Sequence, residues 1–218
     1  MDKFLPNYIV GIGGSAGALS SYKALLESMP FNTGMTFVII SHIHPEANSQ
    51  LAQILSRHTT MPVLLTLTGM PIWANHVYVI PANADILIES FAFKIVSPRC
   101  KRNVQIDLFF SSLANARGEH AIGIILSGYH RDGSEGCRSI KAKGGITFAQ
   151  DKSAEVEDMS RSAQALGYVD YVLSPKAIAD AVSKLGANFH WGCNDYFIYP
   201  NLTISYSEIE LFKTNTNF

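Results

Sequence analysis

Tyr8-Ile9-Val10-Gly11-Ile12-Gly13-Gly14-Ser15-Ala16-Gly17 is the first patterned stretch of the chain, and its reading decides the fold. Residues 8–12 form a short apolar run of buried-strand type. A glycine-rich turn follows. Leu19, Tyr22, Leu26 and Met29 then recur at helical spacing until Pro30 closes the segment. A strand feeding a helix through a tight turn is the first half of a crossover unit, so the next strand should lie parallel to the first. Thr36-Phe37-Val38-Ile39-Ile40-Ser41 supplies that strand.

Outward from there the alternation continues. A helix with Leu51, Ile54 and Leu55 on one face precedes a third strand at 63–67. Three runs then come too close together for helices between them: Val77-Tyr78-Val79-Ile80, Asp85-Ile86-Leu87-Ile88 and Phe91-Ala92-Phe93-Lys94-Ile95-Val96. They predict a small antiparallel hairpin or meander. Helices over 106–117, 134–143 and 161–166 then alternate with strands at 122–127, 146–149 and 169–173. Ser174-Pro175 starts a last helix, a capping hydroxyl followed by proline at the first helical position. The expected fold is α/β in three layers, a doubly wound and mostly parallel sheet between helices. One domain should span 1–187. The aromatic-rich stretch 188–218 reads as a C-terminal extension packed on that domain.

Composition narrows the function. Of 218 residues, 47% are hydrophobic and 16% charged, the balance of a chain with a large buried core. A net charge of −1 and a pI near 6.6 give no reason to expect nucleic acid or an anionic membrane as partner. Apolar runs such as 36–40 and 121–126 fall far short of the ~20 residues a membrane span requires. The opening residues Met1-Asp2-Lys3-Phe4-Leu5-Pro6 have no apolar core or cleavage site, so a cytoplasmic location is expected. Cys100, Cys137 and Cys193 form no Cys-x-x-Cys pair and read as reduced, mostly buried thiols.

The opening stretch satisfies two motifs at once. As Gly-x-Gly-x-x-Ala it is a dinucleotide-binding turn, but that reading needs an acidic residue at the end of the second strand. The chain has Ser41-His42-Ile43-His44 there, with no carboxylate until Glu46. As Gly-x-Ser-x-Gly it presents Ser15 between strand and helix as a nucleophile. His42 follows the second strand, and Gly128-Tyr129-His130-Arg131-Asp132-Gly133 follows the strand ending at Ser127. In an open parallel sheet such strand ends converge on one crevice. Ser15, His42 and Asp132 would then share a rim as nucleophile, base and orienting acid. A helix starting at Ala16 would aim N–H groups at an oxyanion. The order Ser…His…Asp disfavours the common α/β-hydrolase arrangement.

These blocks resemble the catalytic domain of the bacterial chemotaxis methylesterases, the CheB-type protein-glutamate methylesterases. The resemblance covers about 8–185 and is carried by seven ordered stretches. They are Gly11-Ile12-Gly13-Gly14-Ser15-Ala16-Gly17, Ser41-His42-Ile43-His44-Pro45, Asn75-His76-Val77-Tyr78-Val79-Ile80-Pro81, Ile106-Asp107-Leu108-Phe109-Phe110-Ser111-Ser112-Leu113-Ala114, Leu126-Ser127-Gly128-Tyr129-His130-Arg131-Asp132-Gly133, Phe148-Ala149-Gln150-Asp151 and Val169-Asp170-Tyr171-Val172-Leu173. It implies Ser15, His42 and Asp132 as catalytic residues, with no metal or cofactor. It also implies hydrolysis of glutamate methyl esters on chemoreceptor helices, with glutamine deamidation as a related activity. A methyltransferase is the implied companion. The backbone N–H groups of Ala16 and Tyr129 are the expected oxyanion donors.

Three departures from the family pattern stand out. Gly17-Ala18 replaces a glycine pair, Tyr129-His130-Arg131 replaces smaller residues, and Met159-Ser160-Arg161 stands where Met-Pro-Arg is frequent. No receiver domain of the kind that regulates many relatives is expected in these 218 residues, so phosphorylation within them is not expected to gate the site. The bulky 129–131 stretch also motivates a second reading, a methylesterase fold that binds without turnover. His44 is the rival base, and His42, His44 and Asp132 could instead form an open metal site. His58, His76, His120 and His190 are expected at the surface or satisfied in the core. Asp107 starts a helix, where the helix dipole explains it. His130 and Arg131 could equally line the crevice or cap the next helix.

Overall fold

The computed structural model describes residues 6–42, 50–89 and 91–187. Its main sheet has seven parallel strands: β1 (Ile9–Gly14), β2 (Thr36–Ser41), β3 (Val63–Leu65), β4 (His76–Val79), β7 (Ala121–Ile125), β8 (Ile146–Gln150) and β9 (Tyr171–Leu173). Their order is β3-β4-β2-β1-β7-β8-β9. The chain leaves β1 for β2 on one side, and later returns to pair β7 on the other side of β1. That reversal is the topological switch point, where such sheets build their sites at the carboxyl ends of the strands.

Residues alternate between the two faces of each strand, and both faces are covered. Val10, Ile12, Phe37, Ile39, Ile122 and Ile124 join a core with α1 (Ala18–Glu27), α2 (Leu51–Leu55) and α6 (Pro175–Ala187). Ile9, Val38, Ile40, Tyr78 and Ile125 face the opposite way. They pack with α3 (Gln105–Arg117), α4 (Ser134–Ala142) and α5 (Asp158–Ala165). The three-layer, doubly wound architecture read from the sequence is therefore present. Pro175 is the first residue of α6, and Ser174 Oγ accepts the Ala177 N–H at 3.4 Å, as the capping signal predicts.

Three details differ from the sequence reading. Only two of the three close-spaced runs pair antiparallel, β5 (Asp85–Glu89) with β6 (Ala92–Val96). The first of the runs, β4, enters the main sheet between β2 and β3, because its fully buried Val77, Tyr78 and Val79 need cover on both faces. Helix α5 begins at Asp158, three residues before the stretch marked for it in the sequence. Cys137 is buried as expected, but Cys100 is exposed, its N–H held by Asp85 Oδ2 at 2.8 Å in a surface loop. The C-terminal extension 188–218, with His190 and Cys193, and the rival base His44 lie outside the described residues. Among the described residues, no helix is long and apolar enough to cross a membrane.

Candidate active site

Ser15, His42 and Asp132 all follow the carboxyl ends of central strands. β1 and β2 pair with Gly14 opposite Ser41, so Ser15 and His42 leave adjacent strands in register. Strands so paired lie about 4.8 Å apart. On its other side β1 pairs β7, and the join continues past the strands. The Leu126 N–H donates to Gly13 O at 2.8 Å and the Ser15 N–H to Ser127 O at 2.9 Å. Ser15 is thereby fixed between the two strand ends that lead to His42 and Asp132.

His42 Nε2 lies 2.6 Å from Asp132 Oδ2, with the side chains 8% and 0% exposed. An ionised carboxylate only accepts, so Nε2 carries the hydrogen and Nδ1 is left with a lone pair. Asp132 is held from behind by the start of α3. The Ile106 N–H donates to Oδ2 at 3.1 Å and the Asp107 N–H to Oδ1 at 2.9 Å. Helix α3 has no side-chain cap at its own N-cap, Val104. The Asp132 carboxylate satisfies donors that the first helical turn would otherwise leave open. Ser15 Oγ makes no hydrogen bond to a described residue. Nucleophile–base contacts are often long before substrate arrives.

The glycines of the motif divide their work. A Cβ on Gly11 would stand 2.7 Å from Phe110 Cε1, and one on Gly13 would stand 2.6 Å from Ile106 Cγ2. These two glycines let α3 lie directly on β1, which brings its first turn to Asp132. Ile106 occupies the space beside Gly13 that the dinucleotide reading keeps for a pyrophosphate. Gly17 is the turn glycine, at φ 71°, and α1 begins at Ala18, not at Ala16 as the sequence suggests. The left-handed residue at 17 delays the helix by two positions. The N–H groups of Ala16 and Tyr129 have no partner among the described residues, while those of Ser15 and Gly128 are bonded within the protein.

Several contributors were not singled out from the sequence. Ser127 Oγ donates to Ala16 O at 2.8 Å and accepts the Val156 N–H at 2.9 Å, tying the nucleophile turn to the segment before α5. Gly128 is buried against Met159 and Ser15. Asp107 accepts the Gly136 N–H of α4 at 2.7 Å, a bond beyond its own helix. The signal for the Asp107 bond was an α4 start at Gly133, a residue with no side chain to cap it. Tyr129, His130 and Arg131 are exposed, with His130 at φ 71°. His130 and Arg131 line a surface hollow of about 480 Å³ with Asp158, Arg161 and Ser162, and the Arg131 carbonyl also accepts the N–H of Ser134, the first residue of α4, at 3.2 Å. The other described histidines stand apart from the site. His58 Nδ1 pairs with Glu27 at 2.6 Å. Burial lowers the pKa of His76, whose Nδ1–H donates to Ala74 O at 2.8 Å.

The chain resembles known proteins in both sequence and fold. The family model described as CheB methylesterase matches residues 10–182. A Leptospira interrogans protein, provisionally named protein-glutamate methylesterase/protein-glutamine glutaminase, is 33% identical over 181 residues, 81% of this chain and 94% of its own. A Nitrosospira multiformis protein named protein-glutamate methylesterase/protein-glutamine glutaminase is 30% identical over 191 residues, 86% of this chain, and the chain spans only 54% of its length. The crystal structure of the Thermotoga maritima CheB methylesterase catalytic domain superposes with a TM-score of 0.75 at 25% identity, covering 82% of this chain and 98% of that one.

Proposed function

The chain belongs to the CheB methylesterase family, and from that premise we propose that it hydrolyses glutamate methyl esters on chemoreceptor-type helices through Ser15, His42 and Asp132. The observation that carries the reading is the 2.6 Å His42–Asp132 contact at a strand end in register with that of Ser15. Ser15 Oγ attacks the ester carbonyl carbon while its proton passes to His42 Nδ1. Asp132 holds the resulting imidazolium. The negative tetrahedral oxygen is received by the N–H groups of Ala16 and Tyr129, which have no partner among the described residues, each such donor being worth about 3–4 kcal/mol where one has been removed elsewhere. Collapse expels the methoxy group, which takes the proton from His42 and leaves as methanol. Water then repeats the sequence on the acyl-serine and releases a glutamate carboxylate. With a glutamine side chain the same steps would expel ammonia.

An esterase of this kind needs a methyltransferase to supply its substrate, and that enzyme is the partner the reaction implies. The test is a fluorophosphonate probe combined with methanol release from a methyl-ester glutamyl peptide. Labelling at Ser15 with catalytic methanol release supports the enzyme. A folded chain that binds the peptide and neither labels nor releases methanol is instead a binding module on this fold.

A further inference from the structure

Two acids brace the catalytic pair from opposite directions. Asp132, in the loop between β7 and α4, accepts the N–H groups of Ile106 and Asp107 at the start of α3. Asp107, in the first turn of α3, accepts the Gly136 N–H in the first turn of α4. Each acid therefore satisfies the helix start that belongs to the other's segment. The two carboxyls are close enough that Asp107, once protonated, donates to Asp132. Beyond Asp132 lies His42, from the end of β2. The other titratable group acting with Asp107 is the Cys137 thiol of α4, which burial first, and then the charge of Asp107, holds neutral well above the ordinary thiol range. No cation pairs with Asp107 among the described residues.

We propose that Asp107 is a positioning residue for the triad: its backbone N–H holds Asp132 against His42, its carboxylate ties the start of α3 to α4 through Gly136 and, when ionised, adds negative charge behind the imidazole. The inference rests on the esterase reading above. Charge in this position favours the imidazolium that forms as Ser15 loses its proton. When Asp107 is protonated, that added negative charge is gone. The change falls in a useful range. Burial most of all, opposed by the Gly136 N–H and reinforced by the charge of Asp132, pushes the Asp107 carboxyl up to about 6.

Two measurements on the full chain test this. The first follows the Asp107 carboxyl by carbon NMR against pH in the wild type and in Asp132→Asn, and requires no activity. Electrostatic coupling is reciprocal, so removing the charge of Asp132 should move the Asp107 midpoint down by about half a unit or more. An unmoved midpoint overturns the proposal. The second compares pH profiles of kcat/KM for the wild type, Asp107→Asn and Asp107→Glu. Asparagine keeps the acceptor for Gly136 and imitates the neutral acid. Its acid limb should shift to lower pH by about half a unit, with a plateau lower by about tenfold, and glutamate should restore the limb. A lower plateau with an unmoved limb makes Asp107 a helix cap only and overturns the proposal. Should Asp107→Asn not fold, the carboxyl titration decides alone. A wild type without serine-dependent esterase activity at any pH refutes the esterase reading instead, and the carboxyl titration then decides the coupling by itself.

Discussion

Gly128 has no side chain, and that absence shapes the surroundings of Ser15. A Cβ there would press on the Met159 sulfur and stand 2.9 Å from Ser15 Cβ. Met159 is flexible and can yield, but Ser15 is tied by its own N–H to Ser127 and can move only by leaving register. Gly128→Ala should therefore lose about 1–3 kcal/mol of stability by crowding and about tenfold or more in kcat/KM. Thermal melts alongside kinetics check this, and unchanged kinetics would mean that the Ser15 turn is softer than its bonding implies. One residue on, Tyr129 is 56% exposed, so its side chain has little to lose by substitution. Its backbone matters more if it donates to the oxyanion. Tyr129→Met should keep most activity, whereas Tyr129→Gly should lose it as the N–H wanders. If glycine outperforms both, crowding governs the site and the donor role is wrong. The candidate triad is legible by residue type at strand ends, and the structure brings His42 and Asp132 together there. Gly128 and Ser127 are not legible, since their roles are close approach and backbone bonding, which spacing alone does not encode.

Helix α3 is the element on which the site turns. Its contact with β1 depends on Gly13, and its first turn holds Asp132. Gly13→Ala should push Ile106 away and lower kcat/KM, and adding Ile106→Ala should recover part of the loss. Two neighbours sharing one clash are expected to be non-additive, so strictly additive effects in a double-mutant cycle would refute this route. The pairing of α3 with α4 also carries a pH signature. Asp107 has a folded-state pKa raised to about 6, principally by burial, above its ordinary 3.8. Its contribution to stability is therefore full below about pH 4 and lost as pH rises through about 6. The melting-temperature difference between the wild type and Asp107→Asn should favour the wild type more at pH 4 than at pH 7. A difference flat across that range contradicts the raised carboxyl. From the sequence, Asp107 belongs only to its own helix dipole, because a capping acceptor from a distant loop leaves no local trace. For the same reason β4 reads as part of a meander: its neighbours in space, β2 and β3, are not the runs that crowd it along the chain.

At the scale of the whole molecule, one strand order explains why the site is where it is. β1 is central, β2 and β7 flank it, and the reversal of direction between them opens the carboxyl-end crevice that receives residues from three separate segments. The alternation of strands and helices made this layering legible, and the glycine-rich stretch running through β1 into the turn at Gly17 located the crevice. Only tertiary packing could reveal that two of those glycines serve α3. The central claim is that this crevice performs ester hydrolysis with Ser15 as nucleophile. The most direct measurement is methanol release from a methyl-ester glutamyl peptide by the wild type and by Ser15→Ala, with circular dichroism confirming that both are folded. Ser15→Ala should lose several orders of magnitude in kcat, approaching the ~10⁶ seen where a triad has been dissected. A folded Ser15→Ala chain that keeps most of the wild-type rate would contradict it.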